Sequence, residues 1–310
     1  MAVDIHKLEP TKKELLKFIH FPIDVIYKGN QYYVPDLAND MLTTFLPEEN
    51  PAYEFCESAF FMAYRDGKPV GRIAGIINKL VNERAGKAEG RFGFVDFIDD
   101  EEVVDALYGA VVDWAKGKGM TQLTGPLGFT DMDPEGMLTH GFDQLGTMAT
   151  IYNYPYYSKH FEAMEGYTVD NTYVEYKIFV PEHVPEKMSK IAQMIQKRYG
   201  LRVKKLTKKE IFEEGYGYKI FELINTTYSH LYGYSPLTDK QIEQYINMYF
   251  PLADLGLITL IEDSTANNKL VGVGITIPSL SKALQKCRRG RLLPFGWWPV
   301  LRAIKAHKTK

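Results

Sequence analysis

Apolar residues recur along this chain in two rhythms. Phe60-Phe61-Met62-Ala63-Tyr64 and Val70-Gly71-Arg72-Ile73-Ala74-Gly75-Ile76-Ile77 are strand-like runs separated by Asp66-Gly67. Two such runs around Asp-Gly form the hairpin signal. The pattern returns later: Leu257–Ile261, a loop at Asn267-Asn268, then Leu270–Ile277. Arg91–Ile98 alternates like a strand, and Met120–Leu123 reads as a short buried one. Between them Val103, Val104, Leu107, Val111, Val112 and Trp114 fall at helical spacing, after an acidic start at Asp99–Glu102 and before the stop Gly117-Lys118-Gly119. Tyr156–Met164 predicts a helix ending at Gly166, and Val174–Val180 a closing strand.

The order also repeats. Thr11-Lys12-Lys13-Glu14 and Thr207-Lys208-Lys209-Glu210 both fit the capping box, in which the Thr hydroxyl and the Glu three residues on satisfy free helix N–H groups. A Tyr-rich helical stretch follows each; in the second, Ile220, Phe221, Ile224, Tyr228 and Leu231 share a face. Thr11 precedes Val70 by 59 residues and Thr207 precedes Val271 by 64. A duplicated unit is therefore expected. The boundaries are residues 1–180 and 181–310, and the fold class is α/β (α+β) with mixed sheets.

Composition narrows the class without deciding it. Of 310 residues, 45% are hydrophobic and 25% charged, ordinary globular values. Cys56 and Cys287 are too few for a disulfide framework or a four-thiolate metal site. The histidines show no metal-ligand spacing, so no metal is expected. Met1–Lys7 shows no apolar core of a secretory signal, and no uncharged apolar stretch approaches ~18 residues. The expected placement is cytoplasmic.

Charge changes the picture more. The net charge is −2, yet residues 281–310 hold nine Lys or Arg and no acid, leaving 28 basic against 39 acidic residues before them. Within this tail, Leu292–Leu301 is uncharged and carries Phe295, Trp297 and Trp298, with Pro299 suited to the first turn of a helix. Val300, Leu301 and Ile304 would line one face, and Arg302, Lys305 and Lys308 another. Two readings stand side by side. Phe295, Trp297, Trp298, Arg302 and Lys305 meet an anionic membrane surface, through residues 286–310, on the inner face of the membrane. Alternatively the apolar residues cover a core and the cations are solvated. Nucleic acid is not an expected partner of so acidic a body; a homo-oligomer is compatible with the sequence.

The element order resembles the GNAT-type N-acyltransferase superfamily. The resemblance rests on the Phe60–Ile77 hairpin, the strand–helix pair Arg91–Lys116, and Tyr156-Tyr157-Ser158-Lys159-His160-Phe161-Glu162-Ala163-Met164-Glu165-Gly166-Tyr167, which is similar to the family's late helix. It implies two tandem GNAT-like units, the second incomplete, and acyl-CoA or acetyl-CoA as co-substrate. In that family Arg/Gln-x-x-Gly-x-Gly/Ala, between the fourth strand and the next helix, holds the coenzyme A pyrophosphate on backbone N–H groups. Here the position reads Asp99-Asp100-Glu101-Glu102, which would repel a pyrophosphate, so the first unit is expected to be a support with a degenerate loop. The motif occurs nowhere else in the chain.

The candidate chemistry lies in the polar stretch Thr124–Tyr154. Asp131-x-Asp133-x-Glu135-Gly136 imitates a calcium loop but has Phe142 at the twelfth position and Pro134 inside, so calcium is set aside. Asp131, Glu135 or His140 could accept a proton from an attacking amine, and Tyr152, Asn153 and Tyr156 could contact substrate. By the resemblance, Tyr157 would protonate the leaving thiolate. The ordinary alternatives are a surface loop and tyrosines that pack with a wet hydroxyl. The expected function is acyl-CoA-dependent N-acylation of a small-molecule or lipid-like, long-chain amine. The tail favours a lipid-like substrate, and resemblance alone points to the branch linked with bacterial ceramide synthesis. The other hypothesis is a non-catalytic scaffold docking on a membrane or a protein.

Overall fold

A computed structural model describes residues 2–251 and 253–305. The chain divides into two compact units: residues 1–170 with 233–235 and 279–310, and residues 171–232 with 236–278. The tail thus packs within the first unit, where a boundary at residue 180 would have left it in the second.

In the first unit the order is β1 (Asp4–Leu8), α1 (Lys12–Phe21), α2 (Ala38–Phe45), β2 (Cys56–Arg65), β3 (Lys68–Asn78), α3 (Lys79–Ala85), β4 (Glu89–Phe97), α4 (Glu101–Gly117), β5 (Gln122–Thr124) and α5 (Tyr156–Glu162). The sheet runs β1-β2-β3-β4-β5, antiparallel except for the parallel β4–β5 pair. Asp66 and Gly67 both take positive φ, the conformation that matches a two-residue turn to strand twist. Helices cover both faces. Leu15, Phe18, Leu42 and Phe45 pack with Phe60, Met62, Ala74 and Ile76 on one side. On the other, α4 buries Val103, Leu107 and Val111 against Ile73, Phe92 and Phe97. Burying both faces explains why β3 is a nearly unbroken apolar run.

Two details of β4 position everything nearby. First, Ala74 pairs with Gly93 but Arg72 pairs with Asp96, so β4 carries one extra residue. Phe94 sits there at φ 47°, a conformation bulky residues rarely adopt. Strict alternation from Arg91 and Gly93 would send Asp96 to the α4 face; the bulge returns it to the face of Arg72. Second, β4 and β5 pair only to Arg91↔Thr124. The chain then turns through a cis Gly125–Pro126 bond and runs back against β4, with Leu127 N–H donating to Phe92 O at 2.8 Å. A Cβ on Gly93 would stand 2.3 Å from the Leu127 carbonyl oxygen. Leu127, Phe129, Tyr157 and Phe161 are buried, so protein fills the space where the strands part.

The second unit contains α6 (Glu186–Tyr199), β6 (Leu201–Lys204), α7 (Lys208–Phe212), α8 (Tyr216–Thr227), α9 (Asp239–Tyr249), β7 (Ile258–Asp263) and β8 (Lys269–Ile275). Its antiparallel sheet runs β6-β7-β8. Strand, helices, hairpin is thus the order in both units. Thr207 makes both halves of its capping box, whereas for Thr11 only the bond from Glu14 N–H is present, at 3.4 Å. Two expectations fail here. α8 buries Ile220 and Phe221 but ends at Thr227, leaving Tyr228 and Leu231 exposed beyond it. Val174–Val180 is not a strand; Ile178, Phe179 and Val180 are at least 80% exposed. An apolar run becomes a strand only where a neighbour takes its backbone hydrogen bonds.

The tail forms α10 (Ser281–Leu284) and α11 (Trp297–Ile304). Val34, Ala283, Leu284, Cys287 and Val300 make a small core of their own. Leu301 is exposed while Val300 is buried, so the two do not share one face as the spacing predicts. Lys308 lies outside the described residues.

Two glycines should respond oppositely to alanine. Gly93→Ala must displace backbone and should cost about 2–3 kcal/mol. Gly109, inside α4 with open space around its Cα, should gain about 0.5–1 kcal/mol as Ala. Urea midpoints moving in the same direction for both would contradict this packing.

Candidate active site

The bulge delivers a buried ion pair. Arg72 Nε and Nη2 each reach Asp96 Oδ2 at 2.7 Å, and Nη1 donates to Phe18 O at 2.9 Å. The other carboxylate oxygen, Oδ1, accepts from Tyr27 Oη at 2.9 Å and Tyr157 Oη at 3.0 Å. The two phenols are 3.0 Å apart. All four residues are buried. Burial first, and the Asp96 charge second, push the Tyr27 and Tyr157 phenols well above the ordinary tyrosine range. Both therefore stay protonated and serve as fixed donors.

Around this centre lies a shelf of half-buried tyrosines. Tyr27 stacks on Tyr33 at 4.2 Å, and Tyr154 on Tyr156 at 5.7 Å. Asn30 Nδ2 donates to the hydroxyls of Tyr152 and Tyr154 at 3.0 and 3.1 Å. Tyr152 Oη in turn donates to Phe142 O, and Tyr156 Oη to Phe97 O at 2.6 Å. The structure thus brings Tyr152, Tyr156 and Tyr157 together. Tyr157 is 1% exposed, and its hydroxyl donates to Asp96. Asn153 lies beside them, but its amide is spent on backbone: Oδ1 accepts from Leu138 N–H, and Nδ2 donates to Leu138 O and Tyr154 O.

A second cluster forms at the opposite end of β4. Arg91 is 2% exposed and donates to Gly128 O and Gly233 O. Asp133 Oδ2 accepts from Phe129 and Thr130 N–H, and the Asp131 carboxylate accepts from Ser235 N–H at 3.2 Å. Burial, with the Glu135 charge adding to it, pushes the half-buried Asp131 up to about 7, against the pull of Ser235 N–H and Arg91. That is where a proton acceptor working at neutral pH is most effective. Arg91 and Asp96 pair with Ile76 and Arg72, four residues apart on β3 or about 13 Å at ~3.3 Å per residue, so one substrate nitrogen cannot meet both clusters. His140 is in neither: it is exposed, with Thr139 Oγ1 3.0 Å from its Nδ1.

The start of α4 does not fit a pyrophosphate. Asp100 caps Val103 N–H and holds Arg65 Nη1 at 2.6 Å, while Glu102 takes Arg65 Nη2 at 2.7 Å. Arg65 holds the Asp100 carboxyl below its usual range. Among the described residues no group of His, Cys, Asp or Glu is placed to hold a metal, and no helix is long and apolar enough to cross a membrane. Phe295, Trp297, Trp298, Arg302 and Lys305 are all exposed.

Sequence reasoning missed Asp96, Arg72, Tyr27 and Asn30. A signal existed for two of them: Arg72 and Asp96 are single charges inside apolar strand runs, and such charges are buried only when paired.

Asp131 also makes a pH prediction. Because its folded value lies above its ordinary 3.8, the unfolded chain releases this proton first as pH rises. The group therefore erodes stability from about pH 4 to about pH 7 and is neutral below that window. Asp131→Asn should lack this decline in denaturant titrations; curves parallel to wild type would show that the carboxyl is not desolvated.

No protein-family profile matches the chain. It is similar to a bacterial ceramide synthase of Caulobacter vibrioides, 28% identical over 304 residues, 97% of this chain and 76% of that protein. It is also similar to protein YghO of Escherichia coli K12, 26% identical over 295 residues, 95% and 73% of the two chains. Among solved structures, a tandem GNAT protein from the clavulanic acid biosynthesis pathway aligns with 89% of this chain and 75% of its own at 13% identity and a TM-score of 0.45.

Proposed function

We propose that this protein transfers an acyl group from an acyl-CoA to the nitrogen of a lipid-like amine at a membrane surface. The observation that carries the reading is the similarity to a ceramide synthase along nearly the whole chain. The structure adds a group suited to the chemistry. An amine attacking a thioester carbonyl must shed a proton as the carbon–sulfur bond breaks and the thiolate leaves. Asp131, half-buried and balanced near neutrality, fits the role of acceptor. The Asp96 network is a positioning device: it fixes the tyrosine shelf, whose ring faces would meet the apolar part of the substrate away from the nitrogen that Asp131 serves.

A second reading draws on the α4 terminus. With Val103 N–H capped by Asp100, and Asp100 and Glu102 tied to Arg65, that terminus sets acids where a coenzyme pyrophosphate would need free donors. In this reading the first unit is a scaffold. Free-thiol release from palmitoyl-CoA or acetyl-CoA, with dodecylamine as acceptor, separates the two. Turnover requiring both substrates, with kcat about 10²-fold lower in Asp131→Asn and the acidic limb, the rise in rate through about pH 7, gone, is the expected result. Neither thiol release nor calorimetric heat with either thioester would leave the scaffold.

A further inference from the structure

The tail carries a groove that none of the chemistry above uses. It lies between α10 and α11, encloses about 530 Å³, and is lined by Lys282, Lys286, Trp298, Pro299 and Arg302. The three cations are exposed and, among the described residues, none makes an ion pair with a carboxylate. Other tail charges are used: Arg289 is tied to Asp24. Beside the groove the chain exposes Leu293, Phe295 and Trp297, Phe295 at 81%. Trp297 is held, its Nε1 donating to Pro294 O at 3.1 Å, and it meets Trp298 edge to face at 5.6 Å.

This surface is built rather than loose. Val300 and Cys287 are buried, and Gln285 Nε2 donates to Gln31 O and Tyr33 O at 2.9 and 3.0 Å. A Cβ on Gly296 would come 2.2 Å from Arg291 O, and one on Gly290 the same distance from Asp36 O, so the backbone is seated closely. Cations without a carboxylate partner, carried around a cleft by a closely seated backbone and bordered by protruding aromatic rings, match one environment: phosphate above, hydrocarbon below. From residue 281 on there is no acid to repel such a layer.

We infer that the α10–α11 groove is the headgroup site of an anionic phospholipid bilayer, with Lys282, Lys286 and Arg302 on the phosphate and Phe295, Trp297 and Trp298 at the acyl boundary. This rests on the membrane-surface placement proposed above and names the residues that would achieve it. The test is co-sedimentation with phosphatidylglycerol and with phosphatidylcholine vesicles at ~0.1 M salt. Wild type should pellet with the first and scarcely with the second, and 0.5 M salt should weaken it. Each cation lost should cost about five-fold in partitioning, so Lys282→Ala/Lys286→Ala/Arg302→Ala should bind roughly 100-fold less. Lipid brominated near the headgroup should quench wild-type tryptophan fluorescence, and less so in Trp298→Phe, a measurement that does not need the triple variant to fold. Full pelleting of the triple variant would overturn the groove while leaving a membrane placement through the aromatic residues. Equal binding to both lipids, or absence of quenching, would overturn it as well. No pelleting of wild type would defeat the membrane placement itself, leaving acyl transfer to be judged by thiol release.

Discussion

One residue inserted in one strand underlies the organisation of the first unit. A carboxylate and a guanidinium placed in adjacent apolar strands must either share a face or be stranded in separate cores. Taking an ion pair out of water costs several kcal/mol per ion unless every lone pair and proton finds a partner. The bulge at Phe94 meets that condition. It brings Asp96 opposite Arg72, and Tyr27, Tyr157 and the Phe18 carbonyl complete the set. Four separate stretches of chain are thereby tied to one carboxylate: the end of α1, the turn after it, β3 and α5. The positive φ at Phe94 is a local strain accepted for that arrangement.

The same strand decides what the unit can enclose. β4 and β5 part after a three-residue parallel ladder, a geometry that opens a cleft between them. Here the chain returns into the opening at once. Gly93 and Gly125 let two backbones approach closer than any Cβ allows, with a Cβ on Gly125 falling 2.2 Å from Phe92 O. Phe129 and Phe161 close the rest. At the neighbouring helix start, Asp100 takes the Val103 N–H, a donor that an anionic ligand would need. Filled cleft and capped helix are independent observations with one consequence: the first unit is organised around its own side chains.

Local chemistry was the legible part of the sequence. Capping Thr residues, the Asp-Gly and Asn-Asn turns and the apolar stripe of α4 each depend on residues within one or two turns of each other, and the structure has all of them. What escaped depends on pairing between distant segments. Nothing local says that Tyr27 and Tyr157 will meet over Asp96, 69 and 61 residues from it, and the face on which Asp96 lies is set by a bulge that alternation alone cannot reveal. Val174–Val180 errs the other way. Its composition is that of a strand, but composition supplies only the side chains; a strand also needs an edge to hydrogen-bond with. Tyr228 and Leu231 continue a helical spacing after the backbone has already left the helix.

The tail shows how a charge pattern acquires meaning only once packing is known. Nine cations without an acid could be a solvated extension, and such an extension would hide its two tryptophans against the body. Instead, α11 spends Val300 and Ile304 on the inner core and has no apolar contact left for the opposite face. Trp297, Trp298 and Leu301 remain outside because the helix is already anchored. Exposed tryptophan is costly in water, at roughly 25 cal/mol for each Å² of apolar surface. Two exposed tryptophans beside three cations without a carboxylate partner, on a closely seated backbone, are the packing on which the proposed membrane contact rests.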